Sequence, residues 1–233
     1  PLTELIPVKP GAHYSMGGIK TDVWGSTNLK GLYAAGECAC VSVHGANRLG
    51  GNSLLDAVVF GRRVGQAASV YAKETALTEF PEDALAAVAR DIAFIMDKTS
   101  GERAARIRDE LASAMAAYVG VFRDKNRLDS SLAVIITLKE RYKNIYLEDK
   151  GEIFNTELVA IFELGHLLTV AECIVRSAIN REESRGAHCR MDFPDRDDKN
   201  WLKHTLLFKD DGNMKIKFTD VAITRHRPME RKY

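Results

Sequence analysis

The sequence predicts an α+β chain in three consecutive parts: short strands with one capped helix, an antiparallel helical bundle, and a small β-hairpin region. Three observations predict it. Glycine and proline punctuate the first 36 residues, at Pro7, Pro10-Gly11, Gly17-Gly18, Gly25 and Gly31, a β-and-loop texture. From about residue 82 to residue 180 apolar side chains recur with the period of a helix. Beyond Ser184 the chain turns irregular and charged, then offers two short strand-like runs around a tight turn. The divisions expected on this basis are 1–76, 77–182 and 183–233.

Within the first part, Gly31-Leu32-Tyr33-Ala34-Ala35-Gly36 reads as a short buried strand, and Glu37 to Gly51 as a loop of small residues carrying His44, Asn47 and Arg48. A helix is expected from near Ser53, where Ser53-Leu54-Leu55-Asp56 has the spacing of a capping box with the shorter acid at its end. Leu55, Val58, Val59 and Arg62 carry it to about Tyr71 or Lys73. Gly61 and Gly65 weaken this helix and, four residues apart, open one face to a close backbone neighbour.

Four helical patterns follow. They run through Leu85, Val88, Ala89, Ile92 and Met96; through Ile107, Leu111, Met115, Tyr118 and Phe122; and through Leu128, Leu132, Ile135, Tyr142 and Tyr146. The fourth and longest takes in Leu158, Ile161, Phe162, Leu168, Ala171, Val175 and Ile179. Short breaks at residues 99–101, 123–125 and 149–151 predict antiparallel neighbours. Thr205 to Phe208 and Met214 to Phe218 read as two strands, with Asp210-Asp211-Gly212-Asn213 as the turn between them. The basic end, Arg225 to Tyr233, reads as a solvated tail or as a lid over a neighbouring domain.

Composition sets the outer limits. The chain has 233 residues, 45% hydrophobic and 28% charged, which is globular and long enough to bury a core without covalent staples. Thirty-three basic residues against 32 acidic ones leave a net charge of +1, which excludes a nucleic-acid binder working by phosphate neutralisation. No run of 18 apolar residues occurs, so no bilayer-spanning segment is expected. Four cysteines, Cys38, Cys40, Cys173 and Cys189, are too sparse for a disulfide framework and point to a reducing compartment. Cys38, Cys40 and His44 are spaced C-x-C-x3-H, unlike known zinc sites, and read as small buried thiols; no metal site is expected. The chain starts at Pro1 without a signal-like or transit-like stretch, and is expected to be part of a longer protein.

Three clusters carry candidate chemistry. His13 precedes Gly17-Gly18, where backbone can approach a ligand closely. The stretch His44-Gly45-Ala46-Asn47-Arg48-Leu49-Gly50-Gly51-Asn52-Ser53 is glycine-rich, holds one arginine and runs into a helix, whose first N–H groups and partial positive charge favour anions. It lacks the lysine of a phosphate-binding P-loop, and by spacing alone Arg48 is equally a surface ion-pair partner. Glu183-Ser184-Arg185-Gly186-Ala187-His188 reads as the capped end of the longest helix, with Gly186 as the stop and a charged network around it.

The strings themselves say more than their spacing. His13-Tyr14-Ser15-Met16-Gly17-Gly18-Ile19, Gly31 to Glu37, and Val43-His44-Gly45-Ala46-Asn47-Arg48-Leu49-Gly50-Gly51-Asn52-Ser53-Leu54-Leu55-Asp56 resemble the succinate dehydrogenase/fumarate reductase flavoprotein subunit. Residues 183–188 and Trp201-Leu202-Lys203-His204-Thr205 resemble it as well, in the same order. The resemblance covers nearly the whole chain and only the C-terminal portion of that subunit. It implies that residues 1–76 are the C-terminal part of a FAD-binding α/β domain. It also implies FAD as cofactor, hydride transfer between succinate or fumarate and the flavin, and electron passage to an iron–sulfur subunit. Beyond that subunit it implies a membrane anchor with quinone, and a peripheral place on the cytoplasmic or matrix face of an energy-transducing membrane.

By the same resemblance His13 and Arg48 bind the dicarboxylate, while Glu37, Ser53 and Leu54 bind the flavin. No residue here matches the family's proton-shuttling arginine, expected upstream, so none is assigned as catalytic. The strand–GxGxxG–helix dinucleotide fingerprint is absent from these residues, and the isolated chain is expected to be inactive. Two other readings are an L-aspartate oxidase-type flavoenzyme, which shares the His-Tyr…Gly-Gly and His-Gly-Ala-Asn-Arg strings, and a non-catalytic helical docking module. Met16 and the string from Leu49 to Asp56 favour the dehydrogenase over the oxidase.

Overall fold

The structure is a computed structural model that describes residues 3–8 and 13–229. Pro10-Gly11 and the last four residues of the basic end lie outside the described residues. The chain divides into two compact units, Pro1–Asp97 with Arg185–His188, and Lys98–Ser184 with Cys189–Tyr233.

In the first unit, β1 (Ile19–Lys20) pairs in parallel with β2 (Ala39–Cys40), Ile19 opposite Ala39. The strand expected at 31–36 does not form. Local turns consume its backbone groups: Leu32 N–H bonds Leu29 O, Thr27 N–H bonds Leu32 O, and Ala34 N–H bonds Gly25 O. Only Tyr33 makes a strand bridge, to Ser26, and Gly36–Cys38 closes as a single 3-10 turn. Helix α1 spans Asn52–Glu74, and α2 spans Glu82–Asp97. The apolar stripe of α2 is largely exposed, Leu85 and Val88 included, and Ile95 is its one buried residue.

The capping box at α1 is not formed. Its N-cap is Gly51, whose φ of 79° is left-handed and unstrained only for glycine, and no side chain caps the first turn. Asp56 turns inward instead, 4% exposed, for reasons given below.

The second unit holds β3 (Glu102–Arg103), α3 (Ala104–Tyr118), β4 (Phe122–Arg123), α4 (Lys125–Tyr142), β5 (Ile145–Tyr146) and α5 (Thr156–Ile179). It continues with β6 (Cys189–Arg190), α6 (Asp198–Trp201), β7 (Lys203–Asp210) and β8 (Asn213–Asp220). Asp124 caps α4 by accepting from Arg127 N–H, and Asn155 caps α5 by accepting from Leu158 N–H. Two parallel strand pairs, β3 with β5 and β4 with β6, tie the ends of the helices together. Phe122 and Tyr146, expected on helical stripes, sit in these strands because the helices end at Tyr118 and Tyr142.

Helices α3, α4 and α5 pack on one another around Ile107, Leu128, Ile135, Leu138, Ile161, Leu164, Leu168 and Val175, all almost fully buried. Each such side chain stabilises the fold by about 1.5–3 kcal/mol. By length and composition alone, helix α5 is apolar enough to cross a membrane. Its buried face nevertheless carries the core leucines and also Glu172, which pairs with Lys139 and Arg176, as a core helix of a bundle does.

The expected stop at Gly186 is also corrected, because α5 ends at Ile179 with Asn180 as its C-cap. Arg190, fully buried, satisfies the carbonyls left over there: its Nη1 donates to Ala178, Ile179 and Arg181 oxygens, while Nε and Nη2 grip Asp192. The hairpin is longer than expected. Asp210 pairs with Asn213, and Asp211 and Gly212 both have positive φ, the two-residue turn that matches strand twist.

Candidate functional site

Two loops of the first unit meet at the start of α1. One carries His13 and Tyr14, and the other runs from β2 to α1 and carries His44 and Arg48. Arg48 Nη2 donates to His13 Nδ1 at 2.9 Å. Arginine is only a donor, so His13 Nδ1 is the acceptor and its ring proton lies on Nε2. Nε2 has no partner among the described residues, and the ring is exposed. Arg48 Nε is buried and lacks a hydrogen-bond partner among the described residues. Nε is thus out of a ligand's reach, while Nη1, directed at Leu49 O, and Nη2, directed at His13, each keep a second N–H; with the exposed His13 Nε2–H these are donors suited to an anionic ligand.

Behind this pair lies a polar cluster. The Arg48 guanidinium rests on the Tyr14 ring, 4.9 Å from its centroid, and the Tyr14 ring meets the His44 ring edge-on at 5.2 Å. His44 is held at both nitrogens: Asp56 Oδ2 is 3.0 Å from Nε2, and Asn52 Nδ2 is 3.2 Å from Nδ1. A single ring proton on Nε2, with Asn52 donating to Nδ1, satisfies both contacts. Tyr14 O–H donates to the same Asp56 oxygen at 3.3 Å. Burial and the neighbouring Asp56 carboxylate push the Tyr14 phenol above its ordinary value, so it stays a donor.

Glu37 stands at the 3-10 turn before β2, exposed, with Oε1 accepting from Ser15 N–H at 2.9 Å. Ser53 and Leu54 occupy the first turn of α1, and Leu54 is 74% exposed. The structure brings His13 and Arg48 into contact and holds Glu37 on the His13 loop. It records no hydrogen bond or ion pair from Ser53 or Leu54 to the other three.

Tyr14, Asn52 and Asp56 were not singled out by the sequence. Tyr14 was visible only as the neighbour of His13, and Asp56 read as a cap. Gly186 belongs to this unit as well. Its φ is +58°, and a Cβ there would lie 2.5 Å from the carbonyl of Ala46, in the loop that carries Arg48. Ala187 N–H also bonds Ala46 O at 3.0 Å. Cys38, expected to be buried, is exposed, because the 3-10 turn faces it outward. Among the described residues no group of three His, Cys, Asp or Glu is placed to hold a metal ion.

Residues 108–233 match the family model described as fumarate reductase flavoprotein C-term, and residues 1–54 match the model of an FAD binding domain. The fumarate reductase flavoprotein subunit of Mycobacterium tuberculosis is 45% identical over 241 residues, covering 100% of this chain and 41% of that protein. The succinate dehydrogenase flavoprotein subunit of Coxiella burnetii is 43% identical, covering 89% of this chain and 37% of that protein. Among solved structures, an Escherichia coli quinol fumarate reductase superposes with a TM-score of 0.89 at 44% identity, over 98% of this chain and 40% of that one. The chain therefore spans about two fifths of the length of the relatives it matches.

The residues present fit a flavin. Gly50 and Gly51 leave the entrance to α1 bare, since a Cβ at either meets nothing within 4 Å. Leu54 is exposed beside them, and the acceptor-only Glu37 carboxylate suits hydroxyl groups of a ribityl chain.

Proposed function

Because the chain belongs to the fumarate reductase flavoprotein C-terminal family, we propose that it forms the dicarboxylate-clamping wall of a flavoprotein that interconverts succinate and fumarate. The observation that carries this reading is the contact between Arg48 and His13, which sets an arginine and a histidine side by side with terminal N–H groups to spare. A dicarboxylate needs donors at both ends. Arg48 grips one carboxylate through its unspent N–H groups, and His13 Nε2–H donates to the other. Holding both ends fixes the two central carbons, the positioning that a hydride transfer requires.

FAD supplies the two-electron chemistry when bound. Glu37 holds its sugar-alcohol chain, and Ser53 and Leu54 meet it at the first turn of α1. The positive end of α1 favours negative charge on whatever it faces. Three parts, divided at 76 and 182, serve this arrangement: a flavin wall, a helical bundle and a C-terminal hairpin region. The proton donor lies on a part of the flavoprotein not represented in these residues, so the chain by itself does not turn over. In the assembled enzyme electrons leave through an iron–sulfur subunit to quinone held by a membrane anchor. The flavoprotein then sits peripherally on the cytoplasmic or matrix face of the membrane.

The test is Arg48→Ala in the chain joined to the remaining portion of a fumarate reductase flavoprotein. Succinate–fumarate turnover is abolished while FAD content and assembly with the iron–sulfur subunit persist. Full turnover in that variant overturns the reading and leaves a docking module.

A further inference from the structure

We propose that Asp56 is a positioning residue that sets the mutual placement of Arg48 and His13, through Tyr14 and His44. The proposal rests on the reading of Arg48 and His13 as a dicarboxylate clamp. Those two residues come from separate loops, 35 positions apart, and neither loop is held by a regular sheet where the clamp residues sit. Something must fix the two loops against each other, because a misplacement of about 1 Å costs on the order of 10²-fold in rate.

Among the described residues, Asp56 is a side chain outside the two loops that is bonded to both, at the point where Tyr14 Oη and His44 Nε2 also meet at 3.3 Å. Its Oδ2 accepts from Tyr14 O–H, and Tyr14 is the residue directly after His13. The same oxygen accepts from His44 Nε2, and His44 stands four residues before Arg48. Asp56 itself rides on α1, the most regular element of the unit, 4% exposed. The cluster also reaches the guanidinium: Arg48 lies over the Tyr14 ring, and that ring is wedged edge-on against His44. Asn52, on the first turn of α1, closes the far side of His44. The helix that carries Asp56 and Asn52 has no side-chain cap at its N-terminus.

The charges facing Asp56 are few. Its recorded partners are Tyr14 and His44, with no arginine or lysine among them. A buried carboxylate held by a phenol and a histidine, with no arginine or lysine bonded to it, is a poor stabilising device, because its desolvation offsets much of what the bonds contribute. A placement role accounts for it better than a stability role.

The experiment compares wild type, Asp56→Asn, Asp56→Glu and Tyr14→Phe in the chain joined to the remaining portion of a fumarate reductase flavoprotein, loaded with FAD. Succinate KM and kcat are measured alongside Tm and FAD content. Positioning predicts that Asp56→Asn raises KM at least tenfold and lowers kcat by on the order of 10²-fold. FAD content stays unchanged. Tyr14→Phe, which removes the hydroxyl contacts with Asp56 and His44, keeps the His44–Asp56 bond and leaves the ring under Arg48, gives a smaller change in the same direction. Asp56→Glu restores most of the loss, since it keeps the acceptor.

A purely structural role would lower Tm and the yield of active enzyme with KM unmoved, and that pattern overturns the proposal. So does wild-type KM and kcat in Asp56→Asn. Arg48→Ala separates the two levels. If it binds and turns over succinate normally, the clamp reading itself fails; if it is dead while Asp56→Asn is normal, only the positioning role fails. Should Asp56→Asn not fold, the Tyr14→Phe and Asp56→Glu pair decides: wild-type KM and kcat in Tyr14→Phe contradict the placement mechanism.

Discussion

Arg48 Nη2 lies 2.9 Å from His13 Nδ1 and so fixes the histidine proton on Nε2. One contact therefore sets the direction in which each side chain can donate. A lysine in place of Arg48 keeps the charge but has no second planar N–H to give the histidine and a carboxylate at once. Arg48→Lys is expected to weaken succinate binding by roughly 10- to 100-fold, the equivalent of one lost charge-assisted bond. Calorimetry on the assembled flavoprotein reads it directly, and an unchanged Kd contradicts the role of Arg48 in holding His13 and a carboxylate together.

Gly186 is expected to be intolerant of any side chain. Its φ is left-handed and the space a Cβ would take is filled by the Ala46 backbone. Gly186→Ala then displaces the loop that ends in Arg48 or strains its own turn, at a cost of about 1–3 kcal/mol. Thermal unfolding and succinate affinity should both fall. A variant with wild-type values in both shows that the turn and the loop move independently.

The second unit has a pH signature at Asp192. The Arg190 guanidinium bonded to it, aided by backbone N–H groups against the opposing effect of burial, holds its carboxyl down to about 2. The folded value lies below the unfolded one, so the stabilisation is complete above the unfolded carboxylate range near pH ~4. It is lost as pH falls from there toward the folded value. Asp192→Asn should flatten the loss of stability in that window, measured by denaturant unfolding at several pH values. A mutant curve parallel to wild type contradicts the pairing.

Glu172 offers an independent check on the bundle. Burial raises its carboxyl, Lys139 and Arg176 lower it, and the net is below the ordinary range. Glu172→Ala leaves two cations facing a mostly buried position and is expected to destabilise by about 1–3 kcal/mol. Leu128→Ala, which opens a hole at a fully buried site, is expected to cost about 2–5 kcal/mol. If Glu172→Ala is neutral, the pair network is a surface feature and α5 is held by its apolar face alone.

Periodicity placed α3, α4, α5 and the hairpin, because their burial follows repeats of 3.6 or a turn whose chemistry is local. The core positions Ile107, Leu128, Ile135, Ile161 and Val175 lie on the stripes their spacing implies. It failed where long-range partners outbid local ones. Asp56 has the spacing of a helix cap and spends its oxygen on His44 and Tyr14, 12 and 42 residues away. Gly186 looks like a helix stop and is a contact with Ala46. Arg190, which caps α5 from beyond its end, carries no sequence signal at all. His13 and Arg48 were found through the strings around them, but their contact is visible only in three dimensions.

The most direct test of the central claim is a double-mutant cycle on succinate binding, with His13→Ala and Arg48→Ala made singly and together in the FAD-loaded flavoprotein. The account predicts that each single variant weakens succinate at least tenfold with FAD content unchanged. It also predicts that the double variant loses less than the product of the two, because the contact between them couples the pair. Succinate binding at wild-type affinity in both single variants would contradict it and remove the clamp from this chain.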